Sequence, residues 1–154
     1  MLKWAKLTNE KTGAVVAGIG DNDEFFISNG FTKMDIEEAY DGSWYLVGKT
    51  PVRPIAEVKE EKYSTLWNNF KEYQTKRVDA EDLVLASMGS LAGKPKCTAV
   101  RDWVMDLWRR YYVIKDQIAA ATDNKSVEAI DLSPDSCGEI PYSIRELNEE
   151  VKQQ

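Results

Sequence analysis

The chain has 154 residues, 43% of them hydrophobic, and carries 20 Lys and Arg against 26 Asp and Glu, for a formal net charge of -6. Five Trp and seven Tyr in such a composition exclude a disordered chain, since large rings favour burial. The acidic balance argues against nonspecific binding to nucleic acid, which needs a basic surface to displace counterions from phosphates.

Compartment is indicated by the cysteines and by the apolar runs. Cys97 and Cys137 are far apart, without the paired spacing of a zinc site or a secreted disulfide framework, so we expect two inert thiols. No run approaches the roughly 20 apolar residues that span a bilayer, and residues 1–8 lack the apolar core of a signal peptide. We therefore expect a cytoplasmic protein.

The first part of the chain is predicted to be rich in β-structure. Imperfect alternation over residues 2–7, a polar loop and a second apolar run over 14–19 predict a hairpin. Asp21 or Asn22 is then predicted to cap a short helix. That helix would carry three apolar residues towards the core: Phe25, Phe26 and Ile27.

A second hairpin is predicted around Asp41-Gly42, which separates the runs 34–40 and 43–47. Asp-Gly between such runs is typical of a type I′ turn, in which both central residues take positive φ. The first of these runs also has good helix propensity. Pro51 and Pro54 then fit neither the interior of a helix nor a hydrogen-bonded strand. They place a domain boundary near residue 52.

Beyond that boundary the sequence predicts helices. One runs from about 57 to 79, one from 81 to 91, and the longest over 98–118, with Thr98 as its cap. The apolar positions expected in the second helix are Val84, Leu85, Met88 and Leu91. Ser143 and Glu146 fit a capping box that opens a last helix, whereas residues 122–140 match no pattern.

The predicted fold class is therefore α+β. A small β-rich N-terminal module, residues 1–52, with two hairpins and a short helix, precedes a C-terminal bundle of three to four helices, residues 53–154. Within the bundle, aromatic residues of two helices are expected to form a core rather than a ligand cage or a stacking platform. They are Tyr63, Trp67, Phe70 and Tyr73 on one helix, and Trp103, Trp108 and Tyr111 on the other.

Catalysis is poorly supported by the sequence. The chain has no histidine, the side chain most used as a proton shuttle and as a ligand of transition metals. Gly18-Ile19-Gly20 is better explained by a strand end, and the acidic run 21–24 by helix capping, than by a phosphate or calcium site. Asp102 and Asp106 are expected to form ion pairs on a helix surface. We expect no enzyme, and we predict no catalytic, cofactor-binding or metal-binding residue.

A binding surface is the better expectation, because aromatic and arginine side chains are enriched in the cores of protein interfaces. The candidate partner-binding residues are Tyr45, Arg109, Arg110 and Tyr112.

One stretch also resembles a known family. Ala39-Tyr40-Asp41-Gly42-Ser43-Trp44-Tyr45-Leu46-Val47-Gly48, with Pro51 after it, is similar to the hairpin that closes the N-terminal module of small tail-associated proteins of tailed bacteriophages and prophages. The helical half is similar to the C-terminal region of such proteins over residues 63–79, 83–92 and 102–108.

The resemblance implies a noncatalytic role in tail assembly, as a tail-fibre assembly chaperone or a minor tail protein. The partner would be a phage tail or tail-fibre protein, with no nucleic acid and no membrane involved. The protein would act in the cytoplasm of the bacterial host or be carried in the virion, and its oligomeric state is left open. The alternative is a regulatory protein that binds a small ligand or nucleic acid in an aromatic pocket.

Overall fold

The computed structural model describes residues 1–153. The chain divides into two compact units, Met1–Pro54 and Ile55–Gln154. The first unit is rich in strands and the second is helical, so the predicted α+β class is confirmed.

The N-terminal unit is a closed antiparallel barrel of four short strands. These are β1 (Leu2–Asn9), β2 (Ala14–Ala17), β3 (Thr32–Glu38) and β4 (Trp44–Leu46), and their order around the barrel is β1-β2-β4-β3. Both predicted hairpins are present, and they also pair with each other, β1 with β3 and β2 with β4. Ala5, Val15 and Ile36 form the barrel core.

A short helix, α1 (Asp23–Ser28), follows β2 as predicted, and the Asn22 side chain accepts the Phe25 amide at 3.0 Å. Phe26 is buried and stacks on Trp4, with 5.7 Å between ring centroids. The prediction that Phe25 and Ile27 also turn inwards was wrong, because both are exposed. A helix of six residues buries one narrow side, and neighbours of Phe26 in sequence point about 100° away from it.

The turn at Asp41-Gly42 differs from the type I′ prediction. Gly42 has a φ of +83°, but no non-glycine residue of the described chain has a positive φ, so Asp41 does not meet the requirement. The Gly42 amide donates to the Ala39 carbonyl at 3.0 Å, and the Ala39 amide to the Ser43 carbonyl at 2.7 Å. These bonds define a three-residue loop closed by a left-handed glycine, the next commonest way to connect a hairpin.

The second unit contains α2 (Ile55–Arg77), α3 (Ala80–Leu91), α4 (Pro95–Ala120), α5 (Asn124–Glu128) and α6 (Ile144–Lys152). Both α2 and α3 pack on α4, and α6 packs on α3 and α4. Two buried clusters result, one centred on Phe70 and Tyr111 and the other on Ala86 and Val100. Within residues 1–153, no helix has both the length and the apolar character needed to cross a membrane.

Helix α4 begins earlier than predicted. It starts at Pro95, a favoured first helical residue, so Thr98 lies inside the helix and donates its hydroxyl to the Lys94 carbonyl at 3.1 Å. The prediction of Thr98 as the cap was wrong. The Glu150 carboxylate of α6 instead accepts the free amides of Lys96 at 2.9 Å and Cys97 at 3.1 Å. A side chain distant in sequence therefore caps this helix.

Residues 122–140, which match no sequence pattern, cover the helices. They include α5 and a 3₁₀ turn, Asp135–Cys137, and Val127 is fully buried. Polar side chains of α2 and α4 hold this segment by donating to its carbonyls: Asn69 to Leu132 at 3.2 Å, Tyr73 to Gly138 at 2.6 Å and Trp103 to Cys137 at 3.2 Å. The conformation of residues 122–140 therefore depends on contacts with helices that are distant in sequence.

Candidate partner-binding surface

The side of α4 that meets α2 is closed by aromatic rings, as the sequence predicts. Phe70 lies 5.8 Å from Tyr111 and 6.4 Å from Trp108, measured between ring centroids. The Trp108 indole donates to the Gln74 side chain at 2.5 Å. Trp67 departs from the prediction, since it contacts Trp108 and Tyr111 but keeps 46% of its surface exposed. These rings contact one another and form a core.

The side of α4 that meets α3 is open. Ala86 and Gly89 of α3 are buried against α4, and a Cβ atom added to Gly89 would lie 2.4 Å from the Cys97 sulfur. Small residues thus bring the two backbones close together, and beside this contact there is a groove of about 490 Å³. The α3–α4 groove is lined by Leu83, Ser87, Arg101, Val104, Met105, Trp108, Arg109 and Tyr112.

Apolar side chains continue from this groove onto the outside of α3. Val84, Met88 and Leu91 are 57%, 65% and 87% exposed, and we call them the α3 outer face. The sequence predicted these residues as apolar positions of the helix without deciding which side of it is buried. Ala86 and Gly89 take the buried positions instead, because only small side chains fit at the close contact with α4.

The α3 outer face and the α3–α4 groove adjoin on the helix surface. Val84 precedes Ser87 of the groove by three positions and Leu91 follows it by four, spacings that place side chains next to each other. On the α4 side, Met105 and Tyr112 are 49% and 58% exposed. Apolar surface is therefore available on both helices that form the groove.

The charged residues that line the α3–α4 groove are Arg101 and Arg109. Each pairs with an aspartate of the same helix, Arg101 with Asp102 at 2.9 Å and Arg109 with Asp106 at 2.6 Å. The predicted pairing of these aspartates on the helix surface is confirmed. Such exposed pairs are weak, so they leave the arginines available to a partner.

Two of the four candidate residues from the sequence lie together. Arg109 and Tyr112 line the α3–α4 groove. Arg110 is exposed on another side of α4, where its charge acts on the Cys137 thiol. Tyr45 is a half-buried residue of β4 in the other unit, between Trp44 and Leu46, whose side chains pack on the barrel core.

Other residues of the groove were missed by the sequence reasoning. Arg101, Met105 and Trp108 were missed, and with the predicted Tyr112 they recur at intervals of four, three and four residues, which places them along one line of α4. The sequence could have predicted this row of residues, because its helical spacing places it next to the buried row of the same helix. Leu83 and Ser87 could not have been predicted, because the sequence does not state which side of α3 contacts α4.

A second pocket, of about 440 Å³, lies between α2 and the 133–135 loop, and three of its charged residues, Glu72, Lys76 and Arg77, form ion pairs within the chain. The Arg77 guanidinium lies 3.5 Å from the Tyr73 ring and pairs with Glu139 at 2.7 Å. A hydrogen bond from Arg77 lowers the pKa of Glu139, and one from Lys76 lowers the pKa of Glu72. These contacts join α2 to residue 139 and pair charges along α2 itself.

Cys97 is a buried free thiol and Cys137 a partly buried one. Burial raises the pKa of Cys97 and of Cys137, which disfavours the reactive thiolate. Gly18 follows the last residue of β2, as expected for a strand end. In residues 1–153, no group of three or more Cys, Asp and Glu side chains is placed to hold a metal ion.

Comparison with known proteins adds no relative. No protein-family model matches the chain, and neither a curated protein nor a solved structure is significantly similar to it.

Proposed function

We propose that this protein is a noncatalytic component of phage or prophage tail assembly, which binds a tail or tail-fibre subunit through the α3–α4 groove and the α3 outer face. The observation that carries the proposal is the continuous exposed apolar surface on these two helices. Apolar patches with polar rims mark sites of protein–protein interaction. The assignment to phage tails is supported by the resemblance of the 39–48 hairpin and of the helical segments.

A binding role rather than a catalytic one is supported by the chemistry of the surface. The α3–α4 groove is lined mainly by apolar side chains and offers no pair of carboxylates and no thiol. Histidine is absent from the whole chain. Binding energy at such a surface comes from burying Met105, Trp108 and Tyr112, residues of the kinds that dominate interface energetics.

The test is co-expression with the tail and tail-fibre subunits encoded beside its gene. We expect one subunit to co-purify with this protein and to need it for assembly. Met105→Ser combined with Tyr112→Ser should abolish the co-purification, because it removes apolar surface from the α3–α4 groove. Val113→Ser, which alters an exposed residue of α4 outside the groove, is the matched control.

The proposal fails if every subunit folds, assembles and elutes without this protein. Immunodetection in purified particles then separates two roles within the proposal. A minor tail component remains in the virion, whereas an assembly chaperone is absent from it.

A further inference from the structure

We infer that the α3–α4 groove binds an acidic amphipathic helix of the partner. Its apolar side would lie on Met105 and Trp108, and its carboxylates would pair with Arg101 and Arg109. This inference rests on the proposed function, since it specifies the chemistry of the partner at the same surface.

The shape of the groove favours a helix as the occupant. It lies between two helices joined by the short connection 92–94, with Gly89 against Cys97 and Leu83 beside Val104, so α3 and α4 run antiparallel. From Arg101 to Tyr112 it extends over eleven residues of α4, or about 16 Å at the rise of an α-helix. That length matches three turns of a helix laid into a groove, a common mode of peptide recognition.

The charge of the groove indicates the sign of the charge that the partner carries. The chain has a net charge of -6, yet the only charged side chains among the groove-lining residues are Arg101 and Arg109. Eight residues separate them, about 12 Å along α4. Carboxylates about two turns apart on a docked helix would reach both guanidinium groups, and complementary charges favour encounter and register.

The α3–α4 pair already binds one helix of this kind within the chain. Helix α6 is amphipathic and acidic, and it packs on both α3 and α4. Leu147 is fully buried there, and the Glu150 carboxylate accepts amides of α4. The α3–α4 pair therefore accommodates an amphipathic helix within the chain, and the carboxylate of that helix binds backbone amides at the start of α4.

A second copy of the chain fits this surface less well. In a two-fold dimer the same surface meets itself, so the arginine-bearing grooves of both copies would face each other. The groove lining contains no carboxylate, so a second groove offers no complementary charge to Arg101 and Arg109. The acidic helix supplies that charge.

The test uses a displayed library of helical peptides about 14 residues long, in which a leucine face is constant and two positions eight residues apart carry Glu, Gln or Lys. The bait is the full-length protein. We expect the wild type to retain peptides with Glu about fivefold better than peptides with Lys, because two partly exposed ion pairs provide a binding energy of that size. Arg101→Glu with Arg109→Glu should reverse this preference.

The matched control is Arg110→Glu with Arg145→Glu, which makes the same change of charge at exposed arginines outside the groove. It should leave the preference for Glu unchanged, and thermal melts should show both double variants folded. Retention of no peptide, equal retention of Glu and Lys, or an equal effect of the control would overturn the inference. A dimer in sedimentation that Met105→Ser dissociates would overturn it as well.

Failure of the inference is distinguishable from failure of the proposed function. If a tail subunit still co-purifies with the Arg101→Glu/Arg109→Glu variant and Glu is not preferred, the inference fails and the function stands. If no tail subunit binds while Glu peptides are retained, the proposed function fails and the groove has another acidic partner.

Discussion

The two sides of α4 are built from different residues and have different properties. Towards α2, large rings fill the contact, and Phe70, Trp108 and Tyr111 lie within 6.4 Å of one another between centroids. Towards α3, Ala86 and Gly89 allow close backbone approach but provide no bulk beyond the contact. Large residues thus make a closed core, and small residues make a tight seam with an open groove beside it.

This difference separates stability from recognition along a single helix. Substitutions on the α2 side should cost free energy of unfolding because they leave cavities. Substitutions of Met105 and Tyr112 in the α3–α4 groove should cost binding and little stability, because these two side chains are already exposed.

The largest effect is expected from Phe70→Ala on the α2 side. Phe70 has no exposed surface, and its loss should lower the free energy of unfolding by about 3 to 5 kcal/mol. Trp67→Ala, which removes a larger but 46% exposed ring, should cost less. Chemical denaturation of both variants measures the difference, and equal losses would mean that this side is not a closed core.

The next effect is expected at the seam between α3 and α4. A Cβ atom at residue 89 would lie 2.4 Å from the sulfur and 2.8 Å from the Cβ of Cys97, so Gly89→Ala must push the helices apart. We expect a loss of about 1 to 3 kcal/mol despite the better helix propensity of alanine.

Cys97→Ala should relieve part of that clash, so a double-mutant cycle should show coupling between the two positions. A Gly89→Ala protein that is as stable as the wild type in urea denaturation would show that the close seam is not required.

A smaller, pH-dependent effect is expected at the start of α4. Burial raises the pKa of Glu150, but hydrogen bonds from the Lys96 and Cys97 amides outweigh it, so the pKa lies below its ordinary 4.5. A lowered folded-state pKa adds stability above the unfolded value, and that stability is lost as the pH falls through the folded value. Glu150→Gln should therefore lower the melting temperature at pH 7. On acidification, the melting temperature of this variant should fall less than that of the wild type.

Thermal melts between neutral pH and pH 3 measure this dependence. Glu149→Gln is the matched control, because Glu149 is the exposed neighbour that pairs with Arg145 on the surface of α6. A Glu150→Gln protein with the same acid dependence as the wild type would contradict the capping role.

The smallest effect on stability is expected in the α3–α4 groove. Met105→Ser should change the free energy of unfolding by no more than about 0.5 kcal/mol, as is usual for surface positions. It should nonetheless weaken co-purification of a tail subunit, which Val113→Ser leaves intact. A large loss of stability in Met105→Ser would place this residue in the core.

Much of the fold could be predicted because local patterns agree with it. The hairpins, the Asn22 cap, the Ser143 capping box and the long helices all follow from periodicity and cap residues that act over a few positions. The α2–α4 core could also be predicted, because aromatic residues recur at helical spacing on both helices. The candidate surface was predicted only in part, through Arg109 and Tyr112.

What failed depends on contacts between distant residues. The apolar spacing of α3 identifies the residues of the α3 outer face but not the side that is buried, and the close contact at Gly89 leaves them exposed. Similarly, the capping of α4 depends on Glu150, more than 50 residues further along the chain. In both cases the deciding contact is with another helix, which the spacing of residues within one helix does not identify.

The sequence by itself determined the α+β class, the hairpins, the long helices and the aromatic core, because these depend on spacing and on side-chain size within single elements. Only the tertiary structure decided that the hairpins close into a barrel, that residues 122–140 cover the helices, and that α3 exposes its apolar residues. The physical reason is that packing selects among the sides that each element offers. At the α3–α4 contact, the small residues occupy the seam and leave the larger apolar side chains at the surface.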